Sequence, residues 1–180
     1  MKQIKQKILI KENKVVDQAE LKADVIEVTV SGTFKTEHVF NTPEGVLGTL
    51  TIKGSKGEGS FSGADNLLLD FKKPSVWKSQ YELQEGNATI GKAHPPKKLK
   101  RAFEIDFEDG IYHLTPGGSK MRSWTLKNIQ AQGICEVLPR GALKRGAFIR
   151  IGAEIPFKLL VFTYCLVVKR WQEEAAVAAS

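Results

Sequence analysis

Seven cations in two short stretches are the residues of this chain best placed to engage a partner. Lys97, Lys98, Lys100 and Arg101 lie within residues 92–101 (KAHPPKKLKR). Arg140, Lys144 and Arg145 lie within residues 140–150 (RGALKRGAFIR). Neither stretch contains an acid. With Lys92 and Arg150 included they carry +5 and +4, so the other 159 residues net −2 within a total of +7. Basicity confined in this way describes a partner surface more than a fold. The chemistry on offer is attraction of anions: a Lys or Arg near an anionic membrane contributes about 1 kcal/mol. Pro95-Pro96 stiffens the approach to Lys97. The plain alternative is a solvated hairpin loop kept soluble by its charge.

Covalent and metal chemistry finds little support. His38, His94 and His113 have no metal-ligand spacing to one another or to a cysteine. His94 precedes Pro95 and reads as a loop residue; His38 and His113 read as ordinary strand positions. Cys135 and Cys165 sit in apolar surroundings, where a free thiol behaves as a small hydrophobe. Asp106, Glu108 and Asp109 lack the alternating oxygen ligands of a calcium loop. The glycine-rich KGSKGEGSFSG at 53–63 lacks the phosphate-loop pattern and reads as a mobile turn between strands. No cofactor is implied, no catalytic residue is assigned, and the expectation is a non-enzymatic protein.

The elements that position the cations follow from pattern. At 180 residues and 42% apolar composition the chain suits a single globular domain. Two cysteines and a longest N-terminal apolar run of Ile8-Leu9-Ile10 suit a cytoplasmic protein without a secretory leader. Residues 25–34, 46–52, 81–83, 103–107, 111–115, 123–127 and 147–151 alternate or are β-rich, with Gly, Pro and Asn between them. Such spacing predicts a sandwich or barrel. Asp109-Gly110 reads as a two-residue hairpin turn. A repeat is visible as well. Gly48, Gly91 and Gly133 step by 43 and 42 residues, LKR recurs at 99–101 and 143–145, and Tyr81-Glu82-Leu83 parallels Trp124-Thr125-Leu126. This spacing suggests four hairpin units of about 42 residues, with both LKR loops on one rim. Residues 1–35, rich in lysine, form a basic arm or edge strands.

Residues 155–174 read as a helix buried on all sides or as a central strand; richness in Val and Phe favours the strand, and length without a turn residue tips the expectation to the helix. Leu159–Val168 carries no charge, yet ten helical residues span only about 15 Å, half of a bilayer core. The run is therefore too short for a transmembrane span. Trp124 is expected to pack inward and Trp171 to lie at the barrel mouth. Trp77, flanked by Lys73 and Lys78, is either an interfacial aromatic or a core residue.

GVLGTLTI (46–52), YELQEGNATIGKA (81–93), RSWTLKNIQAQGICEV (122–137) and AEIPFKLLVFTYCLVVKRW (153–171) together resemble the tubby C-terminal-like superfamily, which includes phospholipid scramblases and LURP-one-related proteins. The resemblance covers about residues 38–171. It implies a closed antiparallel barrel of about twelve strands around a buried C-terminal hydrophobic helix. It also implies membrane-associated or signalling roles, with phosphoinositide headgroups bound through basic residues. The acidic calcium segment and cysteine tract of scramblases have no counterpart here: Glu154 is the only acid in RIGAE. The expected partners are anionic lipid headgroups or, as the alternative, an acidic protein met by an adaptor with a basic rim. Nucleic acid is disfavoured because the basic loops lack interleaved aromatics for base stacking. The expected location is cytoplasmic, at the membrane periphery.

Overall fold

The computed structural model describes residues 24–33, 35–53, 58–74, 80–96, 101–108, 110–117, 122–141 and 145–179. Twelve strands run in chain order: β1 (Val25–Ser31), β2 (Lys35–Thr42), β3 (Gly45–Lys53), β4 (Glu58–Gly63), β5 (Leu68–Lys72) and β6 (Tyr81–Glu85). They continue as β7 (Ala88–His94), β8 (Phe103–Phe107), β9 (Gly110–Pro116), β10 (Trp124–Lys127), β11 (Gly133–Pro139) and β12 (Gly146–Ile151). Each pairs antiparallel with its chain neighbours. β1 pairs with β12 through Val25–Arg150, Ile26–Ile149 and Val28–Ala147, which closes the barrel. Closure leaves no strand edge exposed. Residues from Val25 onward therefore belong to the barrel wall. The rest of the expected N-terminal arm, 1–23, lies outside the described residues.

Strand side chains alternate between faces, and the inward set is apolar. It includes Ile26, Val28, Phe40, Leu50, Phe61, Leu69, Phe71, Leu83, Phe103, Ile105, Leu114, Leu126, Val137 and Ile149, all buried. The outward set is polar: Glu27, Thr29, Thr49, Thr51, Ser60, Ser62, Glu82, Gln84, Lys92, Glu104 and Glu136. A barrel that faced lipid would show the reverse.

The lumen is filled by α1 (Phe157–Ala178), a helix of 22 residues, about 33 Å long. Leu159 to Val168 are all buried. Ten consecutive residues cover every direction around a helix, so burial on this scale means enclosure. Opposite walls touch it: Phe40 of β2 lies 5.1 Å from the Tyr164 ring, and Arg170 lies 4.4 Å over Phe103 of β8. β2 and β8 are six strands apart in the ring of twelve. Several inward wall positions are small, Gly48, Gly91, Ala93 and Ala147 among them. A Cβ on Gly91 would come within 3.0 Å of the Phe162 ring, so glycine makes room for the helix there. Among the described residues no helix is long and apolar enough to cross a membrane.

The pairing register corrects the expected repeat. Across the wall the ladder runs Val28–Phe40–Gly48–Gly63, then Phe71–Leu83–Gly91–Phe107, then Leu114–Leu126–Cys135–Ile151. Val28, Phe71 and Leu114 stand 43 residues apart, as do Phe40, Leu83 and Leu126. The barrel thus comprises three units of four strands, β1–β4, β5–β8 and β9–β12, rather than four hairpin units. Each unit has a bulge at one place, with Leu47, Ile90 and Ile134 left without a ladder partner. The carbonyls of Ile90 and Ile134 accept from the Glu108 and Gly152 N–H groups, at 3.2 and 2.8 Å. The residue equivalent to Gly48 and Gly91 is Cys135; Gly133 lies two positions earlier.

Two local expectations also change. Glu58–Gly63 of the glycine-rich stretch is a strand, because Phe61 points inward and anchors it. The β8–β9 turn begins at Glu108 and excludes Gly110, which already pairs with Phe107. Glu108 takes the positive φ of 50° that such a tight turn demands.

Candidate functional site

Antiparallel order assigns every connection to one end of the barrel. The helix enters at one end, where Lys158 meets Glu85 at 2.8 Å. It leaves at the other, where Glu173 accepts from the Tyr81 hydroxyl and Glu174 from Arg101. The connections at the exit end are segments 32–34, 54–57, 73–80, 95–102, 117–123 and 140–145. They contain Lys56, Lys73, Lys78, Lys97, Lys98, Lys100, Arg101, Lys120, Arg122, Arg140, Lys144 and Arg145, and no acid. The connections at the entry end are 43–44, 64–67, 86–87, 108–109, 128–132 and 152–156. They contain Glu44, Asp65, Glu108, Asp109 and Glu154, and no Lys or Arg. Among the described residues the connecting charges are segregated by end: Lys73, Arg101, Arg122, Arg140 and Arg145 at the exit, and Glu44, Glu108 and Glu154 at the entry.

The two loops singled out from sequence, between β7 and β8 and between β11 and β12, are equivalent loops of units two and three. Both open at the exit end. LKR at 99–101 and at 143–145 fall 44 residues apart, matching the 44 between Phe107 and Ile151, the equivalent ladder partners of Gly91 and Cys135. Lys97, Lys98, Lys100 and Lys144 lie outside the described residues, as does Trp77. The other three cations have fixed partners. Arg101 pairs with Glu174 at 2.7 Å. Arg140 is half-buried, paired with Glu27 and lying 5.9 Å over the Phe148 ring. Arg145 donates to the carbonyl of Gly32. Lys92 and Arg150, counted in the same stretches, instead sit on the outer wall; Arg150 lies 3.7 Å from Glu136.

Sequence reasoning missed Arg122 at this end. It precedes β10 with φ of 48°, its carbonyl accepts from the Trp171 indole at 3.0 Å, and its guanidinium lies 6.0 Å over the same ring. His38, read from the sequence as an ordinary strand position, lies inward at the exit mouth with only 4% exposure. Its ring nitrogens are 2.8 Å from the Tyr164 hydroxyl and 3.0 Å from Thr36 Oγ1. Burial first, and Arg145 second, lower the His38 pKa to about 4. The signal for the inward place of His38 was position: it stands two before Phe40, as Tyr81 and Trp124 stand two before Leu83 and Leu126.

The thiols are protected. Burial pushes Cys135 up to about 12 and Cys165 well above the usual thiol range, which suppresses the reactive thiolate. Among the described residues no three His, Cys, Asp or Glu side chains gather as a metal site. The described large apolar side chains that are exposed, Val177 aside, lie at or near the entry rim: Val25, Val46, Leu68, Ile111 and Ile129.

Comparison with family models finds no match, and neither curated proteins nor solved structures match this chain.

Proposed function

We propose that this chain is a non-enzymatic module that docks at anionic lipid headgroups, phosphoinositides among them, through the exit end of its barrel. One observation carries the reading: Lys73, Arg101, Arg122, Arg140 and Arg145 and no acid among the described connection residues at that end, set against Glu44, Glu108 and Glu154 and no Lys or Arg among those at the other. A charge dipole of this kind orients the molecule before contact and presents cations in several loops at once. At about 1 kcal/mol each, five such cations would hold a folded domain weakly at an anionic surface. The helix adds Lys169, Arg170, Glu173 and Glu174 near that mouth and so leaves the balance unchanged. The resemblance to tubby-like proteins supports the reading, because a twelve-stranded barrel around a buried helix is the architecture that resemblance implies.

The test is co-sedimentation with neutral vesicles and with vesicles carrying anionic lipid, at low and at physiological salt. Binding to anionic vesicles alone, weakened by salt, is the expected outcome. Negligible binding to both at low salt removes the reading. Saturable capture by an acidic protein without vesicle binding would replace it with the adaptor alternative.

A further inference from the structure

The three units fill their equivalent inward positions at the exit mouth unequally. Units two and three place Tyr81 and Trp124 there, both buried. Unit one places His38. The smaller ring leaves a cleft of about 430 Å³ between α1 and the wall, bordered by Val30, His38, Arg122, Arg145, Val168 and Trp171. Its floor is polar but satisfied, since Thr36 and Tyr164 occupy both ring nitrogens of His38. That floor is neutral at pH 7, because burial keeps the imidazole unprotonated.

Among the described residues, the fixed charges of the cleft are Arg122 and Arg145, and no carboxylate lines it. Neither guanidinium joins an ion pair among the described residues. Arg145 gives one N–H to Gly32, out of the five that a guanidinium carries. Val30, Val168 and the Trp171 ring supply apolar walls. Two unpaired cations above an apolar slot match one kind of occupant, an anionic head on an apolar body. The volume sits in the lower part of the range for small-molecule sites, about 300–1,000 Å³, which suits one chain rather than a two-chain phospholipid.

We infer that this cleft binds a single-chain anionic amphiphile, its carboxylate or phosphate monoester held by Arg122 and Arg145 and its chain lying against Val30, Val168 and Trp171. This goes beyond membrane docking, because the ligand is a soluble monomer and needs no bilayer.

The experiment is calorimetric titration of the full chain with octyl phosphate, octanoate, octanol and inorganic phosphate, each below any micelle concentration. Both anionic amphiphiles are expected to bind one site. The two arms rank phosphate against carboxylate, and both should bind at least about tenfold tighter than octanol or free phosphate, as expected when charged hydrogen bonds and apolar burial act together. Arg122→Gln and Arg145→Gln should each weaken the anionic ligands about tenfold and leave octanol unchanged. Gln172→Trp, at an exposed helix position bordering the cleft, should block every ligand without lowering the melting temperature. Equal binding of octanol and octyl phosphate overturns the proposal, as does full binding by the Gln172→Trp variant. Loss of vesicle docking with these titrations intact refutes the docking reading alone.

Discussion

His38 Nδ1 and the Tyr164 hydroxyl lie 2.8 Å apart, joining the wall of the barrel to the helix in its lumen across 126 residues of chain. The pair makes stability depend on pH in a definite direction. His38 has a pKa of about 4 in the fold and an ordinary value of 6.5 when unfolded. Between those values the unfolded chain binds a proton that the folded chain does not, so stability falls as pH falls through that window. The loss is on the order of 3 kcal/mol by pH 4. Melting curves from pH 7 to pH 4.5 should show it, and His38→Gln should flatten the slope. A wild-type melting temperature constant from pH 7 to pH 5 would contradict the assignment.

Gly91 and Gly133 look equivalent in the sequence but are not in the barrel. A Cβ on Gly91 meets Phe162 at 3.0 Å and Phe107 at 3.1 Å, whereas one on Gly133 meets only Thr125 Cγ2 at 3.7 Å. Gly91→Ala is expected to cost about 1–3 kcal/mol by overpacking. Gly133→Ala should stay within about 0.5 kcal/mol. Urea denaturation of the two variants separates them, and equal midpoints would reject the three-unit alignment as an energetic description.

Phe162 is the helix residue that faces Gly91 and lies 6.0 Å from the Phe71 ring. It is completely buried. Phe162→Ala should cost about 3–5 kcal/mol, the usual figure for losing a buried aromatic. Chemical denaturation measures this. A loss below about 1 kcal/mol would mean that the lumen collapses around the gap.

Charge reversal should act at one end of the barrel only. Lys100→Glu with Lys144→Glu changes the exit end by four charges, which at about 1 kcal/mol each predicts a loss of more than tenfold in binding to anionic vesicles. Glu44→Lys with Glu154→Lys makes a change of the same size and opposite sign at the entry end and should leave binding unchanged. Vesicle titrations in low salt compare the pairs. If both pairs act only according to net charge, the orientation is wrong.

Much of the barrel was legible because alternation survives in most strands. Residues 46–52, 103–107, 111–115 and 147–151 each fall within a strand. β4 was hidden because EGSFSG has the composition of a turn, and only Phe61 reports its inward face. β2 was disguised by His38, a polar residue in an apolar position. The helix stood out because Leu159–Val168 has neither charge nor turn residue. The repeat was seen but misaligned, since matching glycines by identity chose Gly133 where the ladder chooses Cys135. The candidate site was half legible. Two basic loops are visible in linear order, but consecutive loops of an antiparallel barrel lie at opposite ends. Sorting Arg122 and Lys73 with Arg101, and Glu44 with Glu154, requires the strand directions.

The buried helix follows all twelve strands in the chain. During synthesis every wall segment therefore emerges from the ribosome before the element that fills the lumen. A nascent barrel closed at that stage would enclose an unfilled apolar cavity, and an open one would display it to other chains. The last strand, β12, must also reach back to β1, near the beginning of the described chain, and such distant pairing is slow to form. Completion of the fold thus waits for the synthesis of α1. Any shortened product ending before Phe157 would present three hydrophobic wall segments to the quality-control machinery of the cell.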